Sequence, residues 1–196
     1  MAQSTPKTHS QIKNLTLAAM FLAIGLTLPL LIGQVQILGA ALLPMHIPVL
    51  LCGLICGWKY GLGVGLILPI MRSLIFGMPP MFPVAYAMTF ELAVYGLVIG
   101  LLYGKSRWQC IVALYRSLII AMIAGRIVWG AAMFVLLVGI RGGTFTFYAF
   151  ITGAVLNAWP GIVIQLILIP VLMVALNRTG LVHFYREKKE EVTLSE

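Results

Sequence analysis

The sequence predicts an all-α membrane protein with six transmembrane helices and both termini in the cytoplasm. Its composition is the first reason: 61% of the 196 residues are hydrophobic, 9% are charged, and the mean hydropathy is +1.05. A soluble domain cannot bury that much apolar surface. Length is the second reason, because a spanning helix takes about 20 residues and six such helices with short loops use the chain.

The distribution of basic residues is the third reason. Lysines precede the first predicted helix, Lys59 separates the second from the third, Lys105 and Arg107 separate the fourth from the fifth, and a basic tail follows the sixth. The connections between these are nearly free of charge. Because cytoplasmic loops carry an excess of Lys and Arg, the alternation places both ends inside. The net charge of +8 therefore reflects topology more than nucleic-acid binding.

The apolar runs define one integral membrane domain over residues 1–196. The predicted helices cover residues 15–33, 46–57, 60–76, 83–103, 117–140 and 148–177. The second is short for a full crossing, so we expect it to be tilted or partly re-entrant. The sequence contains no convincing internal repeat, which argues against an inverted-repeat transporter.

The three outer connections predicted by this topology are residues 34–45, 77–82 and 141–147. The first, within GQVQILGAALLPM, is apolar but broken by Gly and Pro. It is either a lid over the outer mouth or a plain linker. The second contains a Gly-Met-Pro-Pro turn, which joins the third and fourth helices at the outer side.

Four charged residues are not explained by topology: Arg72, Glu91, Arg126 and Arg141. Arg141 lies in an outer loop, where water can solvate it. At 1.5 Å per residue Glu91 lies roughly 12 Å into the fourth helix, and Arg126 is near the middle of the fifth. A charge at that depth costs at least ~2.5 kcal/mol, so each must face a partner or a wet cavity.

Two interpretations of these buried charges stay open. Glu91 and Arg126 could form a structural ion pair between the fourth and fifth helices, with Arg72 snorkelling to lipid headgroups. Alternatively, two arginines and one glutamate could line a cavity with surplus positive charge. Such a cavity suits an anionic ligand, and the arginine fork matches a carboxylate.

Helical phase adds further candidates to the same pocket. Met88 and Tyr95 share the face of Glu91, and Trp129 aligns with Arg126. On the sixth helix Asn157 heads a stripe of polar and small residues that includes Gly161 and Gln165. His46 opens the second helix near the outer mouth, where it is either a local cap or a ligand contact. The candidate substrate-binding residues are Arg72, Glu91, Arg126, Trp129, Asn157, His46 and Met88.

No catalytic or metal site is expected. The chain contains no Asp, no Gly-x-Ser-x-Gly and no His-Glu-x-x-His sequence. GLLYGKS, residues 100–106, has three residues before its Gly-Lys pair where a phosphate-binding loop needs four. Cys52 and Cys56 share a helix face without a nearby His or carboxylate. The sequence therefore predicts a protein that is not an enzyme and holds no cofactor or metal.

Ala19 and Ala23 lie on one face of the first helix, four residues apart. Small residues at this spacing allow another helix to approach closely. That helix could belong to this chain or to a partner protein, since the pattern alone does not distinguish them.

The chain resembles the substrate-binding S components of energy-coupling-factor vitamin transporters, most closely the pantothenate-type branch. The resemblance rests on six spans with both ends cytoplasmic, on the Ala19/Ala23 pair, and on two stretches of sequence. These stretches are LLPMHIPVLLCGLICGWKYGLGVG and GMPPMFPVAYAMTFELAVYG. It implies a multi-pass plasma-membrane protein that binds a water-soluble vitamin from outside, under loops that match residues 34–45 and 77–82.

The resemblance also implies partners and a cargo. The partners are a membrane scaffold subunit, contacted through Ala19 and Ala23, and two cytoplasmic ATPases that drive inward release. For pantothenate, Arg126 or Arg72 would bind the carboxylate, with Glu91 and Asn157 at the hydroxyls and amide. Riboflavin, a pyridoxine-like vitamin or hydroxymethylpyrimidine are alternative cargoes. A stand-alone ion-coupled carrier of a small metabolite, with Glu91 as its proton site, is the alternative function.

Overall fold

The structure is a computed structural model that describes residues 6–31, 43–106, 110–140, 142, 146–153 and 158–178. Within these ranges all regular elements are helical, which confirms the predicted all-α class. The helices are α1 Pro6–Leu31, α2 His46–Cys56, α3 Trp58–Phe76, α4 Tyr86–Lys105, α5 Ile111–Phe134, α6 Phe147–Ile151 and α7 Trp159–Arg178. A π-helical segment, Val135–Ile140, extends α5.

Five stretches are long and apolar enough to cross a membrane, judged by length and composition. They are Ser10–Leu30, Trp58–Phe76, Met81–Lys105, Ile111–Ile140 and Trp159–Arg178. Each contains 18 consecutive residues with at most two charged side chains. Many of their apolar side chains are exposed on the outside of the bundle. Such exposure is what a lipid environment requires of a membrane protein.

The predicted second span is a short helix at the centre of the bundle. α2 has 11 residues, and ten of them are buried. It packs against α1, α3, α4 and α7, which agrees with the rule that a helix apolar all round is enclosed on every side. At 1.5 Å per residue it is about 16 Å long, roughly half the hydrocarbon thickness.

Helix ends differ from the hydropathy-based prediction in three places. α1 begins at Pro6 rather than at residue 15, and α5 begins at Ile111 rather than at 117. Hydropathy marks the membrane-embedded part of a helix, whereas polar residues can continue the same helix into water. The predicted sixth helix corresponds to α6 and α7, and residues 154–157 between them lie outside the described residues.

Glycines bring α3 and α4 into backbone contact. A Cβ added at Gly61 would lie 2.8 Å from the carbonyl oxygen of Gly96, and one added at Gly65 would collide with the carbonyl of Leu92. Gly57, with φ +94°, is the single residue between α2 and α3. This left-handed conformation favours glycine and lets the two helices pack directly after the turn.

The turn between α3 and α4 is tied to the end of α3. Gly77, with φ +69°, caps α3 by donating its N–H to the Ser73 carbonyl, and the Ser73 hydroxyl donates to the Pro79 carbonyl at 2.7 Å. Phe82 then has extended backbone before α4 begins at Tyr86. This connection brings the start of α4 beside the end of α3, so Glu91 enters the bundle in the second turn of α4.

Candidate functional site

Glu91 is the centre of a buried charge cluster. Its side chain is 2% exposed, and its Oε1 lies 3.1 Å from Nη1 of Arg126 and 3.4 Å from Nε2 of His46. Three helices therefore meet at one carboxylate, with His46 supplied by α2 and Arg126 by α5. We call His46, Glu91 and Arg126, together with Tyr95, the buried charge cluster.

Tyr95 fixes the geometry of the cluster from α4. It follows Glu91 by one turn on the same face of α4. Its ring meets the His46 ring edge-on, with the ring centroids 5.2 Å apart and an interplanar angle of 61°. A Cβ at Gly125 would collide with the Tyr95 ring, so this glycine lets α5 approach. Edge-on aromatic contacts of this kind favour one arrangement of the two rings.

The cluster leaves one side of the Arg126 guanidinium available. Nη1 faces Glu91, whereas Nε and Nη2 have no hydrogen-bond partner within the described part of the chain. These two nitrogens lie on the same edge of the guanidinium plane and present parallel N–H donors. That fork is the geometry that binds a carboxylate through two hydrogen bonds.

Both open interpretations of the buried charges find support in this arrangement. Glu91 and Arg126 are close enough to form the ion pair, which keeps either charge from being buried alone. The same pairing occupies only part of the guanidinium, so it does not exclude an anionic ligand. His46 is completely enclosed and contacts Glu91, so of its two expected roles the packing favours membership of the cluster.

Arg72 makes its contacts with another part of the bundle. Its Nη1 donates to the Leu26 carbonyl of α1 at 2.9 Å, and its guanidinium carbon lies 5.4 Å from the centre of the Phe76 ring. The side chain is largely buried. The charge-assisted hydrogen bond joins α3 to α1, whereas the cation–π contact with Phe76 lies within α3.

The remaining predicted site residues surround the cluster or fall outside the described residues. Trp129, one turn beyond Arg126, stacks on Phe150 of α6 with centroids 6.4 Å apart. Met88, one turn before Glu91, is half-buried and packs against the core. Asn157 lies among the residues that the structure does not describe.

Ala19 and Ala23 are exposed on the outside of α1. The opposite face of the helix carries Ala18, Phe21 and Gly25 and packs inward. The helices of this chain therefore pack against a different face of α1. Internal packing does not explain the alanine pair. The pair remains available to lipid or to another protein.

Several buried polar residues were absent from the predicted set, among them Tyr95 and Gln165. Tyr95 belongs to the cluster, and its signal was the spacing of four residues from Glu91 on one helix face. Gln165 of α7 is fully buried, and its signal was the stripe that it forms with Gly161. Both side chains lie on helical faces that the sequence already marked as polar. The sequence did not show that these two side chains are buried, so they were not selected as site residues.

These features define a multi-pass, all-helical membrane protein in which Glu91 and Arg126 meet His46 in a buried cluster between three helices. The chain belongs to the family of substrate-specific components of ECF transporters, whose family model matches residues 13–173. It is therefore a transport component and not an enzyme. The match confirms the resemblance at the level of the family, while the pantothenate-type branch stays a prediction. No curated protein and no solved structure matches the chain.

Proposed function

We propose that this protein captures pantothenate from outside the cell as the substrate-binding subunit of an ATP-driven importer. Membership of the ECF substrate-specific family supports the general role of a substrate-specific subunit. The choice of an anionic vitamin rests on the buried charge cluster. Within the cluster, one observation carries the choice: the Nε and Nη2 edge of Arg126 has no hydrogen-bond partner among the described residues.

The geometry of Arg126 favours a carboxylate at this edge. Glu91 contacts Nη1, so the Nε and Nη2 donors of the guanidinium still need an acceptor. Hydrogen bonds to charged groups typically contribute about 1.5–3 kcal/mol. A carboxylate that accepts both N–H groups of Arg126 would therefore contribute strongly to affinity, and it would satisfy two buried donors.

The other proposed contacts differ in their support. The contact of His46 with Glu91 supports its place in the pocket lining. Trp129 is one turn from Arg126 and Met88 is one turn from Glu91, so both stay proposed lining residues, as does Asn157. The hydrogen bond of Arg72 to the Leu26 carbonyl favours a role in holding α1 against α3. We therefore assign the cargo carboxylate to Arg126 rather than to Arg72.

The proposed partners are a membrane scaffold subunit and two cytoplasmic ATPases. The exposed Ala19/Ala23 face of α1 is the proposed contact with the scaffold, because small side chains let a second helix approach closely. The alternation of basic connections supports an orientation with Lys59 and Lys105 on the cytoplasmic side. In that orientation the start of α4, and hence Glu91, is near the outer face.

Mass spectrometry of the vitamin that co-purifies with the protein tests this proposal. Pantothenate should accompany the wild-type protein and be lost from Arg126→Gln. The matched control is Arg116→Gln, an exposed arginine of the same helix, which should retain it. A neutral vitamin in the wild-type sample would refute pantothenate but keep the capture role. The absence of any bound or bindable vitamin would refute the capture role.

A further inference from the structure

Gln165 is a second buried polar group whose hydrogen bonds are unmade. Its residue exposure is 0%, and neither Oε1 nor Nε2 has a partner among the residues that the structure describes. The surrounding stripe on α7 is apolar or small, with Gly161, Ile169 and Met173 also buried. Buried side-chain amides are nearly always hydrogen-bonded in native proteins, so this one requires a partner.

The helix arrangement places Gln165 at the end of the bundle where the charge cluster lies. α2 and α4 follow outer connections in the predicted topology, and α7 ends at Arg178 beside the basic tail that is predicted to be cytoplasmic. All three helices are therefore expected to begin on the same side. His46 is the first residue of α2, Glu91 is in the second turn of α4, and Gln165 is in the second turn of α7. α7 packs against both α2 and α5, the helices that carry His46 and Arg126.

The N–H and the carbonyl of a trans secondary amide point in opposite directions, so one side-chain amide can pair with only one of them. We propose that Gln165 is a specificity-determining residue whose Oε1 accepts the N–H of a secondary amide in the cargo, while Arg126 binds its carboxylate. The cargo class is thus an N-acylated amino acid, in which these two groups are joined by a short chain. This inference rests on the proposed function and adds to it the residue that selects the amide.

Gln165→Met keeps the length of the side chain but removes its amide. We expect this variant to bind pantothenate more weakly without becoming less stable. Because the amide has no partner before cargo binds, its loss should not lower the thermal midpoint of the cargo-free protein in detergent. Replacing an unsatisfied buried polar group by an apolar one is neutral or stabilising. Binding of pantothenate should nevertheless weaken about tenfold or more, as expected for the loss of hydrogen bonds.

Equilibrium binding of pantothenate and of its ester analogue, in which oxygen replaces the amide N–H, tests the contact itself. Wild-type protein should bind the ester about tenfold more weakly, whereas Gln165→Met should bind the two compounds almost equally. Ile169→Met, one turn further along the same buried stripe, is the packing control and should keep the wild-type preference for the amide.

Each outcome of this experiment decides the proposal. If Gln165→Met keeps the preference for the amide, or if its cargo-free form is markedly less stable, Gln165 has its partner inside the protein and the inference is wrong. In both cases, tight binding of pantothenate by the wild type would still support the proposed function. If the wild type binds neither compound, the proposed cargo and this inference fail together.

Discussion

Glu91 shows how a membrane protein can accommodate a charged side chain in its interior. Its carboxylate is enclosed by His46, Tyr95 and Arg126, so the charge is compensated at a depth where an isolated charge would be expensive. Arg126 nevertheless uses only one of its nitrogens in this contact. The cluster can therefore exist before cargo binds and still present a preformed fork to a carboxylate.

Removing the Glu91 charge should destabilise the protein through Arg126. In Glu91→Gln the guanidinium stays buried without a counter-charge, and we expect unfolding to require about 3 kcal/mol less free energy. The double variant Glu91→Gln/Arg126→Met should recover most of this stability while remaining unable to bind pantothenate. Denaturant-induced unfolding in detergent measures the stability. A Glu91→Gln protein as stable as the wild type would contradict the compensating role of the ion pair.

At the scale of helices, the same small-residue pattern has two different consequences in this chain. Gly61 and Gly65 bring α3 against the backbone of α4. Ala19 and Ala23 have the same spacing, but they are on the exposed face of α1. The spacing shows that a helix can be approached closely, and only the packed structure shows which helices approach one another.

The α3–α4 crossing predicts a sharp contrast between two glycines of one helix. A Cβ at Gly61 would lie 2.7 Å from the Cα of Gly53 and 2.8 Å from the Gly96 carbonyl oxygen, whereas a Cβ at Gly63 meets nothing within 4 Å. Gly61→Ala should lower the free energy of unfolding by about 1–3 kcal/mol. Gly63→Ala should raise it by up to ~1 kcal/mol through helix propensity. Equal effects of the two substitutions in an unfolding titration would show that the crossing is not tight.

The two faces of α1 predict separable defects in folding and in transport. Ala19→Trp places a bulky side chain on the exposed face, so it should leave folding and vitamin binding intact but abolish uptake that depends on the scaffold subunit. Ala18→Trp, on the buried face one residue away, should lower the thermal midpoint instead. Vitamin uptake by cells and thermal unfolding of the purified variants measure the two effects. Normal uptake by a folded Ala19→Trp protein would refute the proposed partner contact.

At the scale of the whole molecule, composition was sufficient to predict the all-α membrane class. In lipid, an apolar run of this length has to satisfy its backbone hydrogen bonds internally, and a helix does so within one segment. The burial of Glu91 beside Arg126 was also among the sequence-based alternatives. The contact with His46 was not, because the two residues belong to helices distant in sequence and only their packing unites them. Hydropathy also missed the polar first turns of α1, which extend beyond the apolar run.

The predicted orientation can be checked with one native and one introduced thiol. Cys110, at the start of α5, should be on the cytoplasmic side, whereas Thr146, which precedes α6, should be outside. A membrane-impermeant maleimide applied to intact cells should therefore label Thr146→Cys in a Cys110→Ser background and spare the wild-type thiols. Cys52 and Cys56 are buried, so they should not contribute. Labelling of Cys110 from outside would contradict the predicted orientation.

We propose that the Arg126 fork recognises the carboxylate of a vitamin. The sharpest test is the affinity of the purified protein for pantothenate and for its neutral alcohol analogue, measured with the wild type and with Arg126→Gln. The wild type should prefer the carboxylate by roughly 10- to 100-fold, the ratio that corresponds to hydrogen bonds with a charged group. In Arg126→Gln this preference should disappear. A wild-type protein that binds both compounds equally, or a variant that keeps the preference while folded, would contradict the claim.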